Sequence, residues 1–149
     1  MTIAEMIVIA WSLTVGLTDI YTRRIPNMLT LGFCLVAILW LLVTGHSILN
    51  ASWQSVLLAT FISQLFTVPA YAAHLLGAGD AKLLLAIALL SGKDITLTSF
   101  VIASILAVIY CVSNRLIARL NARRINSGRW FPFGAALSIG LVCAIGMGK

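Results

Sequence analysis

Four acidic side chains stand in a chain of 149 residues: Glu5, Asp19, Asp80 and Asp94. Asp80 closes the run Gly77-Ala78-Gly79-Asp80, and Lys82 follows it between two apolar stretches. An ionisable group within apolar, membrane-type sequence marks a functional site by default. Two carboxylates brought close cannot both ionise easily, so such a pair shares a proton. Its charged member can activate a water while its neutral member protonates a leaving amine, which is how two aspartates hydrolyse a peptide bond. Gly77 and Gly79 suit that use, because without side chains they let an extended peptide approach the backbone. A plainer reading stands beside it: the glycines supply a turn between helices and Asp80 caps the next helix. The two readings are compatible.

The elements that position these acids follow from composition. The chain is 61% hydrophobic and 9% charged, with a mean hydropathy of +1.07, where a soluble domain carries about 25% charged residues. It cannot cover its own surface with polar groups, so lipid must. The expected fold is all-α: a polytopic membrane protein with about six transmembrane helices, forming one membrane-embedded domain over residues 1–149. The apolar stretches run roughly Thr2–Thr18, Met28–Thr44, Ser52–Leu76, Ala81–Leu90, Ile95–Ala118 and Phe133–Met147. The opening stretch has no basic start and no small-residue cleavage site, so it reads as a retained span and not as a signal peptide.

The fourth stretch is too short to cross. A helix from Asp80 to Ser91 measures roughly 18 Å, against a hydrocarbon core about 30 Å thick. Pro69 offers a bend in the long third span. The expectation is a glycine segment recessed at membrane depth, where protein or water must line it, with Asp80 on the wall of a cytoplasm-facing cavity.

A net charge of +6 would suggest nucleic acid in a soluble protein. Here no basic stripe with interleaved aromatics appears, so no nucleic-acid partner is expected. Arg23 and Arg24 fall in the first connection, Lys82 in the third, and Arg115, Arg119, Arg123, Arg124 and Arg129 in the fifth. The second has no Lys or Arg, and in the fourth Asp94 offsets Lys93. The odd connections therefore face the cytoplasm and both termini face outward. This sorts the acids, with Asp19 and Asp80 on the cytoplasmic side and Glu5 and Asp94 on the other.

Gly77-Ala78-Gly79-Asp80 resembles the GxGD motif of membrane-embedded aspartyl proteases. With Ala81-Lys82-Leu83-Leu84 after it, the segment is similar to that of the type IV prepilin peptidases. The first connection, Asp19-Ile-Tyr-Thr-Arg-Arg-Ile-Pro-Asn27, resembles that family's other site. Pro132-Phe133-Gly134 resembles a PFG segment before the last span. The resemblance implies that Asp19 and Asp80 are the catalytic aspartates, with Gly77, Gly79, Lys82, Pro26 and Asn27 shaping the site or binding substrate. It implies removal of a basic leader from type IV prepilins and pseudopilins, at the cytoplasmic face of the bacterial inner membrane. The expected substrate has a glycine before the cut and an apolar helix after it. Larger family members add a cytoplasmic segment, often with zinc-binding cysteines, and methylate the new N-terminus. This chain shows neither, and looks like the short, peptidase-only branch associated with tight-adherence (Flp-type) pili. No cofactor and no metal are expected, and membrane lipid is the other partner.

The remaining residues read more plainly. Lys82 points about 200° away from Asp80 on a helix, so it suits lipid phosphate or topology better than an ion pair. Pro26 shapes the turn that aims Asp19, and Asn27 caps the second helix. Cys34, Cys111 and Cys143 read as small buried packing residues. Trp11, Trp40, Trp53 and Trp130 read as interface anchors, and Gly140 and Gly146 as packing positions. His46 reads as solvated, while His74 stands near enough to the glycine segment to hydrogen-bond there. Two rivals use the same acids differently: a small proton- or cation-coupled transporter or channel, and a non-catalytic pilus-assembly subunit.

Overall fold

A computed structural model describes residues 2–22, 25–74, 76–120 and 132–148, with the backbone alone at 118–120. Arg23, Arg24, Arg123, Arg124, Arg129 and Trp130, and the side chain of Arg119, lie outside the described residues. Six helices follow in order: α1 (Ile3–Thr22), α2 (Asn27–Thr44), α3 (Trp53–Ala72), α4 (Ala78–Ser91), α5 (Lys93–Leu120) and α6 (Phe133–Met147). Four of them, α1, α2, α3 and α5, are long and apolar enough to cross a membrane, and α6 is a shorter apolar helix. The protein is an all-helical, polytopic membrane protein.

Local chemistry accounts for most helix ends. Thr2 and Glu5 open α1 reciprocally: Glu5 N–H donates to Thr2 Oγ1 and Thr2 N–H to Glu5 Oε2, as in a capping box. Ser52 Oγ accepts from Ser55 N–H at the start of α3. Asp94 lies in the first turn of α5, where the helix dipole favours an acid. The two acids away from Asp19 and Asp80 thus sit at helix starts. Helix α3 stops at Ala72, short of the expected Leu76. Pro69 lies in its last turn, and His74 adopts a left-handed φ of 57°, which ends helical propagation.

Helix α4 is the centre of the bundle. It has 14 residues, and eight of them, Leu83, Leu84 and Ala86 through Ser91, are buried. It packs against α2, α3, α5 and α6, while α6 lies between α1 and α5. At the far end of α4 the chain turns at Gly92, whose φ is 80°, a conformation glycine adopts without cost. A Cβ there would come within 2.5 Å of Ala51 Cβ and 2.9 Å of Ser55 Oγ. Helices α3 and α4 are thereby level at this end. Since α3 has 20 residues and α4 has 14, the start of α4 is recessed by roughly 9 Å at 1.5 Å per residue.

Three readings are corrected. Trp11 is not an interface anchor: it is 4% exposed, donates Nε1–H to the Leu29 carbonyl at 2.9 Å and stacks on Phe33. Cys34 is buried, but Cys111 and Cys143 are exposed on the outer surface of the bundle. Gly140 is a packing position, where a Cβ would collide with the Ser99 carbonyl, whereas Gly146 faces open space. Trp40 and Trp53 are half exposed, as anchors are.

Candidate active site

One stripe of α1 is buried: Val8, Trp11, Ser12, Val15, Gly16 and Asp19. The spacing of three and four places them on one helix face. Its lower half is small, and the α6 face against it is small as well. A Cβ on Gly16 would stand 2.9 Å from Ser138 Cβ, and Ser12 Oγ donates to the Ser138 carbonyl at 3.2 Å. With so little side chain between them, the two backbones approach closely, as small residues allow in membrane bundles. That seam carries Asp19 to the start of α6.

Helix α6 begins after Pro132, with no side chain of its own as cap. Its first amides have no acceptor within the helix. Asp19 supplies one: Ala135 N–H donates to Asp19 Oδ2 at 3.0 Å, and the Gly134 amide also faces this carboxylate. An N-cap side chain normally serves the second or third amide of its own helix. Here an acid 116 residues earlier does so from another helix, beside the favourable end of the α6 dipole.

Asp80 is the third residue of α4, after the N-cap Gly77. Its carboxylate turns back toward the Gly77 amide and out toward the Gly134 amide, and Asp19 is its charged neighbour. The structure therefore brings Asp19 and Asp80 together, with the Gly134 amide facing both. Asp19 is buried and Asp80 half-buried.

On the side where a Cβ would stand, both glycines face the chain itself. A Cβ on Gly77 would stand 3.1 Å from Asp80 Oδ2, and one on Gly79 would stand 3.3 Å from Ile25 Cβ. Their open sides thus face the chain's own Asp80 carboxylate and Ile25, although Gly77 and Ala78 remain exposed at the surface. Asn27 is not the cap of α2. Pro26 holds that position with φ −61° and ψ 129°, and Asn27 Oδ1 instead accepts from Lys82 Nζ at 3.0 Å. Lys82 thereby joins the second turn of α4 to the first residue of α2. His74 is exposed, and its backbone N–H donates to Tyr71 O at the end of α3. Among the described residues no three His, Cys, Asp or Glu side chains are placed to share a metal ion. A small cavity between α3, α4 and α5, lined by Ile62, Phe66, Leu84 and Phe100, begins one turn of α4 beyond Asp80.

Sequence reasoning missed Ile25 and the two α6 amides. Gly134 was visible in the PFG segment without a role. The signal for the seam was also present, as Ser12-x-x-x-Gly16 and Gly134-x-x-x-Ser138 are both small residues four apart.

Comparison with curated proteins and with solved structures returns no match. A sequence model of the type IV leader peptidase family matches residues 6–112, a span that holds both aspartates and the whole of α2, α3 and α4. With two carboxylates beside one helix start in an all-helical membrane bundle, and most of the chain matched, the protein belongs to the type IV leader peptidase family.

Proposed function

We propose that this chain is an aspartic endopeptidase that cuts the basic leader from Flp-type prepilins and pseudopilins, at the cytoplasmic face of the bacterial inner membrane. Asp19 and Asp80 are its catalytic dyad. The observation that carries the reading is the shared Gly134 amide, which faces both carboxylates at one end of the bundle. In the sequence, Arg115 and the arginines of the first and fifth connections follow an odd number of apolar spans, as Asp19 and Asp80 do. Positive charge collects on the cytoplasmic side, which supports a cytoplasmic site.

The chemistry uses one proton on the pair. The charged carboxylate takes a proton from a water, whose oxygen attacks the scissile carbonyl carbon. The protonated carboxylate gives its proton to the carbonyl oxygen. The resulting tetrahedral diol collapses as the carbon–nitrogen bond breaks: one diol hydroxyl gives its proton to the second carboxylate, and the amine leaves with a proton from the first. The pair again holds one proton. Gly134 and Ala135 amides hold the dyad in place throughout, and no cofactor or metal enters these steps. Methyl transfer to the new N-terminus is not assigned to residues 1–149, and no separate zinc-binding domain is assigned there.

Co-expression with a Flp-type prepilin tests the reading, with the pilin's size and N-terminal sequence as the readout. Wild type removes the leader, and Asp19→Asn and Asp80→Asn accumulate but leave it intact. Cleavage by either variant overturns the dyad. An uncut prepilin with wild type, together with ion flux in liposomes, favours the transporter alternative.

A further inference from the structure

Gly79 and Gly134 belong to different helices, yet one side chain lies against both. A Cβ on Gly79 would stand 3.3 Å from Cβ and 3.5 Å from Cγ1 and Cδ1 of Ile25. A Cβ on Gly134 would stand 2.7 Å from Ile25 Cδ1 and 2.9 Å from Asp19 Oδ2. The Ile25 methyl and the Asp19 carboxylate thus reach the same point beside the Gly134 backbone. Ile25 runs from the start of α4 to the start of α6 and fills the room the two glycines leave.

It is held there. Ile25 packs against the buried core as a half-buried residue. Pro26 follows it with φ −61°, and a residue before proline is restricted to extended conformations. At the start of α4, Gly77 and Ala78 are exposed and Asp80 is half-buried. A peptide reaching the dyad along Gly77 and Ala78 would meet Ile25 as the far wall.

Resting on the peptidase reading above, we propose that Ile25 is the specificity-determining residue of this site. Its side chain limits the residue before the scissile bond to glycine size. The glycine expected before the cut is then a consequence of Ile25, and of Gly79 and Gly134, which admit it. Shortening Ile25 opens space for a methyl group beside the dyad.

The test uses the purified full chain in liposomes and a Flp-type prepilin with glycine or alanine before the cut. The readout is the ratio of kcat/KM for the alanine form to that for the glycine form, which does not depend on the folded fraction. One methylene of pocket space is worth roughly 10–200-fold in discrimination. Ile25→Ala is expected to raise the ratio at least ~10-fold, with Ile25→Val between it and wild type. An unchanged ratio in both variants overturns the proposal. If Ile25→Ala cuts neither form, Ile25→Val alone decides. If wild type fails to cut the glycine form, the peptidase reading falls and this inference falls with it. Cleavage of that form by wild type therefore separates the two failures.

Discussion

The Ala135 backbone amide donates to Asp19 Oδ2 at 3.0 Å, so an acid of the first helix caps the last one. The same helix start offers the Gly134 amide to Asp80 as well. A single turn of α6 thus holds one carboxylate and borders the other, although neither belongs to it.

Gly134→Ala should therefore separate the pair without touching either acid. Its Cβ would fall 2.9 Å from Asp19 Oδ2 and 3.1 Å from Asp19 Cγ, so the carboxylate must move. A displacement of about 1 Å in a reacting group costs on the order of 100-fold in rate. The expected outcome is a fall in kcat of that size with little change in KM, read from prepilin cleavage by the purified variant. Cleavage at the wild-type rate would show that the carboxylate is not held by this turn.

The shared proton predicts a bell-shaped pH profile. At the acid end both carboxylates carry protons and no base remains, so the rate falls. At the alkaline end both are charged and no acid remains, so it falls again. Measuring kcat against pH in liposomes checks this. A rate that rises monotonically with pH would remove the acid from the mechanism.

Asp19→Asn combined with Asp80→Asn should be no worse than either change alone, because residues that act as one unit lose their effect together. Losses that multiply would mean that each acid works separately.

Gly92→Ala should act on folding and not on chemistry. The turn has φ 80°, and a Cβ would meet Ala51 and Ser55. Strain and overpacking of this kind each cost about 1–3 kcal/mol. The variant should accumulate poorly, yet keep wild-type activity per folded molecule, because the turn is at the far end of α4. Gly146→Ala, in open space, is the control and should accumulate normally.

The Lys82–Asn27 hydrogen bond is exposed, so its contribution is small. A double-mutant cycle with Lys82→Met and Asn27→Ala should give a coupling of about 0.5–1.5 kcal/mol in thermal or denaturant unfolding. Zero coupling would mean that the contact merely accompanies the packing of α2 on α4.

Much of this was legible in the residues. The apolar runs place all six helices because few charges interrupt them. Their ends shifted by a few residues: α1 runs on past the apolar stretch, through Asp19 to Thr22. Counting Lys and Arg along the sequence sorted Asp19 and Asp80 to one side. What was not legible is which face of an apolar helix meets protein. Cys111 and Cys143 sit in runs as apolar as that around Cys34, so nothing in their surroundings marks them as outward-facing. Trp11 was readable in principle, since it shares the spacing of Val8, Val15 and Asp19. The common role of Trp as an interface anchor suggested lipid, and its bond to the Leu29 carbonyl shows otherwise. The Asp19–Ala135 contact crosses 116 residues, and no local pattern reports such a distance.

The dependence of Asp19 on α6 also orders events in time. A ribosome adds residues from the N-terminus onward, so Asp19 and Asp80 are both made before Phe133. While the chain has reached only α5, it holds two aspartates with no amides to fix them. The nascent protein is thus a protease with its acids present and its clamp not yet synthesised. On the proposed dyad, cleavage waits for the last helix to enter the bundle, and a chain still being inserted does not act on its membrane neighbours.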